Sequence, residues 1–179
     1  MAGEVTFAAT EADNIGAQRD WWRSLVFRRA TAIRYAIVAG VALVLFALIG
    51  GFVEEWPHGP WLYLIWGAGG AIYAVLLLGL CLGLGYLLLP RRAARLYRQA
   101  KMSGKEGTFR WNDDGLSYVT ANSTGQYGWL ELDRWRLGRS AILFFITDNA
   151  FFYLPYRVLS DEQQRDLADT MQRSGLARR

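Results

Sequence analysis

The sequence predicts an α+β membrane protein, in which a transmembrane helical hairpin carries a small antiparallel β barrel or sandwich closed by a C-terminal helix. Three observations predict it. Two long stretches carry no charge, arginines crowd the two outer flanks of that pair, and after Gly104 the apolar period changes from helical to two.

The chain opens with residues 4–10 (EVTFAAT), short and partly β-branched, which read as a strand available to a β domain. Glu11 to Arg29 interleaves Trp21, Trp22, Leu25, Val26 and Phe27 with Arg19, Arg23, Arg28 and Arg29. That mixture predicts an amphipathic helix in the inner membrane interface, with tryptophans at headgroup depth and arginine heads reaching phosphates. Residues 1–34 are therefore assigned as a cytoplasmic strand plus an interfacial helix.

Tyr35–Val53 gives 19 residues without a charge and Trp61–Leu89 gives 29. A span needs about 20 apolar residues, so both qualify, with residues 54–60 (EEWPHGP) as the turn between them. The 34 residues before the first span argue against a signal peptide. Arg19, Arg23, Arg28, Arg29 and Arg34 precede the hairpin, and Arg91, Arg92, Arg95, Arg98 and Lys101 follow it, whereas the turn holds only Glu54 and Glu55. The positive-inside rule puts both termini in the cytoplasm and the turn outside. Trp21, Trp22, Arg28, Arg29, Arg91 and Arg92 are the expected membrane-interface residues. Small residues recur four apart, at Ala36 and Gly40, Ala47 and Gly51, Gly67 and Ala71, and Gly79 and Gly83. This spacing suits packing of the hairpin on itself and also admits a homo-oligomer. Residues 90–104 read as a basic juxtamembrane helix.

Residues 105–179 then form the β domain. Thr108–Trp111 alternates, Asn112-Asp113-Asp114-Gly115 turns, and Leu116–Ala121 returns. After a turn at 122–125, Gln126–Trp129 is a third strand. Asp133–Leu137 alternates, with Trp135 and Leu137 expected on one face and Arg134 and Arg136 on the other. Ala141–Thr147 (AILFFIT) is continuously apolar, a strand covered on both sides. Phe151–Pro155 is the last strand, ended by a proline that has no N–H to donate. Ser160 and Gln163 form a capping box for a helix that turns Leu167, Ala168 and Met171 inward. About 75 residues make a small core, which residues 4–10 would enlarge.

With these parts in order, "NDDGLSY" (Asn112–Tyr118), "YGWLELDRW" around Trp129 and "YLPYRVLSDEQ" (Tyr153–Gln163) resemble the YcxB-like family of bacterial membrane proteins. "TFAATEAD" (Thr6–Asp13) resembles the family's first strand and the turn after it. The resemblance implies two spans and a β domain of pleckstrin-homology (PH) shape. It implies no activity.

The chain charge of +4 belongs entirely to residues 1–104, where ten Lys/Arg meet six Asp/Glu; residues 105–179 carry ten of each. A neutral folded domain argues against nucleic acid and for the lipid bilayer as partner of the basic segments. Cys81 is the single cysteine and His58 the single histidine, so neither a disulfide within the chain nor a cysteine- or histidine-based metal site is expected. Asp113-Asp114 is accounted for by its turn, and Asn122-Ser123-Thr124, cytoplasmic by this topology, by another. Neither span holds a charged residue, an Asn, a Gln or a His, which argues against transport. Trp111, Trp129 and Trp135 read as core. The expectation is a non-enzymatic inner-membrane protein that needs no cofactor and offers its β domain to an unidentified protein or peptide partner. Headgroup sensing, an immunity or regulatory subunit, and a membrane enzyme are the alternatives. Arg134, Arg136 and Arg157 are the candidate partner or headgroup contacts.

Overall fold

The computed structural model describes residues 3–53, 59, 61–99, 105–120 and 123–176. The expected outer turn at 54–60, apart from Gly59, and the end of the juxtamembrane segment at 100–104 lie outside the described residues. Two compact units emerge: Met1–Trp21 together with Leu89–Arg179, and Trp22–Leu88.

The second unit holds α2 (Arg29–Val53) and α3 (Trp61–Gln99) as far as Leu88, and both helices are long and apolar enough to cross a membrane. Glycine lets their backbones approach. A Cβ on Gly67 would stand 3.1 Å from the Leu43 carbonyl oxygen and 3.4 Å from the Ala47 Cβ. Gly50 meets the Trp66 side chain and Gly70 that of Phe46. Gly40, Gly79 and Gly83 face open space, so only part of the four-residue small spacing is used within the hairpin. α3 continues without a break through Pro90 into the basic juxtamembrane segment as far as Gln99. The missing N–H at Pro90 leaves the helix one hydrogen bond short at the passage from apolar to basic sequence.

In the first unit, β1 (Gly3–Ala8), β2 (Glu106–Trp111), β3 (Gly115–Thr120) and β4 (Thr124–Gly128) form one antiparallel sheet in that order. β5 (Arg134–Leu137), β6 (Ala141–Phe145) and β7 (Phe151–Pro155) form a second. The structure is thus a pair of sheets and not the closed barrel that was one of the two expected forms. Chain geometry breaks the closure: β4 ends at Gly128, and a 3-10 turn at Trp129–Glu131 separates it from β5. Trp129, expected on a strand, sits on that turn and still points inward.

β1 pairs with β2 from Gly3↔Trp111 to Ala8↔Glu106, and the facing hydroxyls of Thr6 and Thr108 lie 2.9 Å apart. The domain is therefore completed by a strand from before the apolar helices, and the whole of α1 (Glu11–Val26), α2 and α3 is the connection from β1 to β2.

One core lies between the sheets and under α4 (Asp161–Arg173), with Phe109, Trp111, Leu116, Trp129, Trp135, Ile142, Phe144, Leu154, Leu167 and Met171 buried. The three strand and turn tryptophans each satisfy the indole N–H that burial would otherwise orphan. Trp111 donates to Asp166 Oδ2 at 2.9 Å, Trp129 to the Asn112 carbonyl at 2.9 Å and Trp135 to the Leu176 carbonyl at 3.1 Å. α4 begins with the expected capping box: Gln163 N donates to Ser160 Oγ, and Ser160 N donates to Gln163 Oε1.

A second, smaller core lies on the outer face of the three-stranded sheet. Ala141, Leu143 and Phe145 of β6 meet Ala17 of α1, with Trp21, Phe151 and Tyr153 around them. This explains why every residue of β6 is buried. It also revises the reading of residues 11–29 as one interfacial helix, because Glu11–Trp21 packs on the sheet.

Candidate functional site

Two features of the β domain gather polar chemistry and accessible space: the corner around Arg157, and a cleft between the sheets.

The corner begins with Pro155. It ends β7, and the chain turns once at Tyr156–Val158 before α4. That turn aims Arg157 at the start of α1. Its Nε donates to Asp13 Oδ1 at 2.8 Å and its Nη2 to Asp13 Oδ2 at 2.5 Å, a two-pronged pair, while Nη2 also donates to the Ala8 carbonyl at 2.9 Å. Asp13 is held from the other side by Thr10, whose N–H and hydroxyl both donate to Oδ2 at 2.8 Å. In return Thr10 Oγ1 accepts from Asp13 N–H. Thr10 and Asp13 are thus the capping box of α1. Burial alone would raise the Asp13 carboxyl, but the Arg157 and Thr10 hydrogen bonds outweigh it and hold the group below its ordinary value of 3.8. Nearby, burial, helped by the negative charge of Asp13, pushes the Tyr153 phenol up to about 12. The returning helix joins the same corner, since the Tyr97 hydroxyl donates to the Ala9 carbonyl at 2.6 Å and Asn14 Nδ2 to the Ala93 carbonyl at 2.9 Å.

Further along α1, Asp20 is buried and accepts from both the N–H (2.9 Å) and the hydroxyl (2.7 Å) of Ser140 in the β5–β6 turn. The Trp21 ring stacks on Phe151 at 6.0 Å, and its N–H donates to the Asp148 carbonyl. Asp13, Asp20 and Trp21 therefore fasten α1 to the three-stranded sheet.

The cleft opens where β1 finishes, β2 begins and the β6–β7 turn projects. It has a volume of about 670 Å³. Phe7, Phe109, Tyr118, Phe151, Phe152 and Tyr153 supply aromatic walls, and Asn14, Gln18 and Asn149 supply amides. Tyr118 and Phe152 meet at 5.7 Å and Phe144 and Phe152 at 5.8 Å, so the wall is continuous with the core. An apolar surface with a few amides at its edge suits the side chains of a peptide, and its size lies within the range of ligand pockets.

The candidate arginines have different places. Arg157 is the corner residue. Arg134 is 5% exposed; it pairs with Asp133 and with Asp148 at 2.9 Å, and its guanidinium lies 4.3 Å from the Phe145 ring centre. It is a structural cation and not the solvated strand face expected. Arg136 is half-buried, while Leu137, expected inward beside Trp135, is 38% exposed. β5 leaves the core at its C-terminal end, which breaks the alternation. Of the expected interface residues, Trp21 belongs to the sheet contact above. Trp22 lies against Gly85 of α3, where a Cβ would come within 2.8 Å of its ring. Arg28 is half-buried, and Arg29, Arg91 and Arg92 are exposed. Asp113 pairs with Arg173 at 3.4 Å, and Asn112 Oδ1 accepts from the N–H groups of Asp114 and Gly115, as a turn requires.

Sequence reading missed Asp13, Asp20, Tyr97 and Tyr153. Thr10-x-x-Asp13 carries a capping-box signature immediately before a helix, and that signal was available. The other three are joined by contacts of long sequence separation, which no local pattern announces.

An antiparallel β domain completed from both sides of two long apolar helices defines the class: a mixed α and β chain with two helices fit to cross a membrane. Within it, the family model described as YcxB-like protein matches residues 111–171, from the end of β2 into α4, so over that segment the chain is similar to that family. No curated protein and no solved structure matches the chain.

Proposed function

We propose that this chain is a non-enzymatic bacterial inner-membrane protein. α2 and α3 are its two spans, both termini are cytoplasmic, and a PH-like domain is offered to a protein or peptide partner. Arginines on both outer flanks of the hairpin, against two glutamates in its turn, support the orientation. A four-stranded sheet followed by a three-stranded sheet and a closing helix supports the PH-like reading.

The observation that carries the interaction reading is the aromatic cleft of about 670 Å³. Apolar surface left open to water contributes nothing to the stability of a small domain, so the opening is consistent with an occupant. A partner side chain entering beside Phe109 and Phe152 would recover that burial, with Asn14, Gln18 and Asn149 meeting its backbone. The test is photo-crosslinking in intact cells from a reactive side chain at Gln18. A discrete adduct that Ala150→Trp abolishes by filling the cleft mouth is expected. Adducts that Ala150→Trp leaves unchanged would exclude the cleft as the docking site.

A further inference from the structure

The last part of α3 has two faces. Ala93, Ala94 and Tyr97 are buried, and hydrogen bonds from Asn14 and to the Ala9 carbonyl fasten that side to α1 and the end of β1. Arg91, Arg92, Arg95 and Arg98 are all exposed. Positions 91, 95 and 98 follow the i, i+4, i+7 spacing of one helix side. With Glu11, Ile15 and Pro90 they line a groove of about 760 Å³.

The arginines of the β domain that form ion pairs show what is missing here. Arg110 meets Glu4, Arg134 meets Asp133 and Asp148, Arg157 meets Asp13, and Arg173 meets Asp113. Among the described residues, Arg91, Arg92 and Arg95 meet no carboxylate, and Arg98 uses its Nε on the Ala94 carbonyl at 3.3 Å. Glu11 is a single negative charge across the groove. Guanidinium forks spaced over about 10 Å of helix match an anion with two separated phosphates better than one point charge. The stripe begins immediately after the apolar stretch of α3, which is the depth of the headgroups if that stretch spans the membrane.

We propose that the Arg91–Arg95–Arg98 groove binds the headgroup of an anionic phospholipid carrying two phosphates. This moves headgroup recognition from Arg134 to α3. Because the opposite side of the same helical turns is fastened to Asn14 and Ala9, a bound headgroup fixes the helix that the β domain rests on. The inference depends on the membrane reading of α2 and α3.

The test uses the full chain in phosphatidylcholine nanodiscs doped with cardiolipin, or with phosphatidylglycerol at equal charge, with bound lipid counted by native mass spectrometry. Selective retention of cardiolipin is expected. The R91Q/R95Q/R98Q variant is expected to lower it at least tenfold, since each basic residue near an anionic surface contributes about fivefold. R28Q/R29Q, basic residues outside the groove, is expected to leave it unchanged. Equal retention by the triple variant, equal loss in both variants, or displacement by millimolar inorganic pyrophosphate would each overturn the proposal. The last result would identify a soluble anion as the ligand. Resistance of every variant to carbonate extraction separates this failure from failure of the membrane reading, which extraction of the unmodified chain would show and which would overturn both.

Discussion

Replacing Arg157 by alanine removes three donated hydrogen bonds at once, two to Asp13 and one to the Ala8 carbonyl. The Asp13 side chain is 7% exposed and that of Arg157 48%, so the pair lies between a buried and a surface ion pair. A charged hydrogen bond contributes about 1.5–3 kcal/mol, and an exposed pair about 0.2–1 kcal/mol. Discounted for the half-exposed guanidinium, Arg157→Ala should cost about 2 kcal/mol. Asp13→Ala loses the same clasp and half of the α1 capping box, about 3 kcal/mol in total. Once either residue is gone, the other has little of the clasp left to lose. The double variant should therefore cost about 3–4 kcal/mol and not the additive sum, a coupling of at least 1 kcal/mol. The readout is amide hydrogen exchange in peptides covering residues 3–10 and 151–159 of the membrane-reconstituted chain. A loss of 2 kcal/mol appears there as about 30-fold faster exchange. Below the ordinary carboxyl value the sign follows from Asp13. Its folded-state value is depressed, so its contribution is present above about pH 4 and disappears as pH falls through the folded value. Strict additivity of the two substitutions would refute the clasp.

Arg134→Ala should destabilise the β domain by about 2 kcal/mol, because a buried cation loses two carboxylates and a ring, whereas Arg136→Ala should stay within about 0.5 kcal/mol; urea titration of the reconstituted chain compares them. Gly115→Ala should cost several kcal/mol, roughly 3 or more, since a Cβ there would stand 2.1 Å from the Tyr127 carbonyl oxygen, a backbone atom that cannot turn aside; low expression with a lowered melting point is the readout. Tyr153 should stay protonated in ultraviolet titration beyond the ordinary phenol range, up to about pH 12. Its raised value makes a contribution to stability that is present below pH 10 and disappears between about pH 10 and 12, and Asp13→Asn should lower that upper limit.

How much of this was legible depends on the range of the signal. The apolar helices are written in length and composition. The turn at Asn112–Gly115, the capping box at Ser160 and the three core tryptophans are written in local chemistry. β6 is the instructive case. Its unbroken apolar run announced a strand covered on both faces but did not name the cover, because Trp21, Trp22 and their neighbouring arginines read as a membrane-interface helix. Ala17, Asp20 and Trp21 supply that cover, and the contact joins residues about 120 positions apart. Arg134 was misplaced for a related reason. Strict alternation assigns it to solvent, but Phe145 and the carboxylates of Asp133 and Asp148 make an inward guanidinium the better-satisfied arrangement. Arg157 was legible only as a candidate contact; that it takes the Asp13 carboxylate and the Ala8 carbonyl, from either side of the Thr10 cap, required the fold.

The account rests on β1 and β2 forming one sheet across α1, α2 and α3. Thr6 and Thr108 face each other directly, so the most direct test replaces both with cysteine in a chain with Cys81→Ala and a protease site within residues 54–60. After mild oxidation in native membranes and cleavage at that site, the two halves should remain joined until a reductant is added. Halves that separate without reductant, at full cleavage and with both thiols still open to alkylation, would contradict a β domain built from both sides of the hairpin.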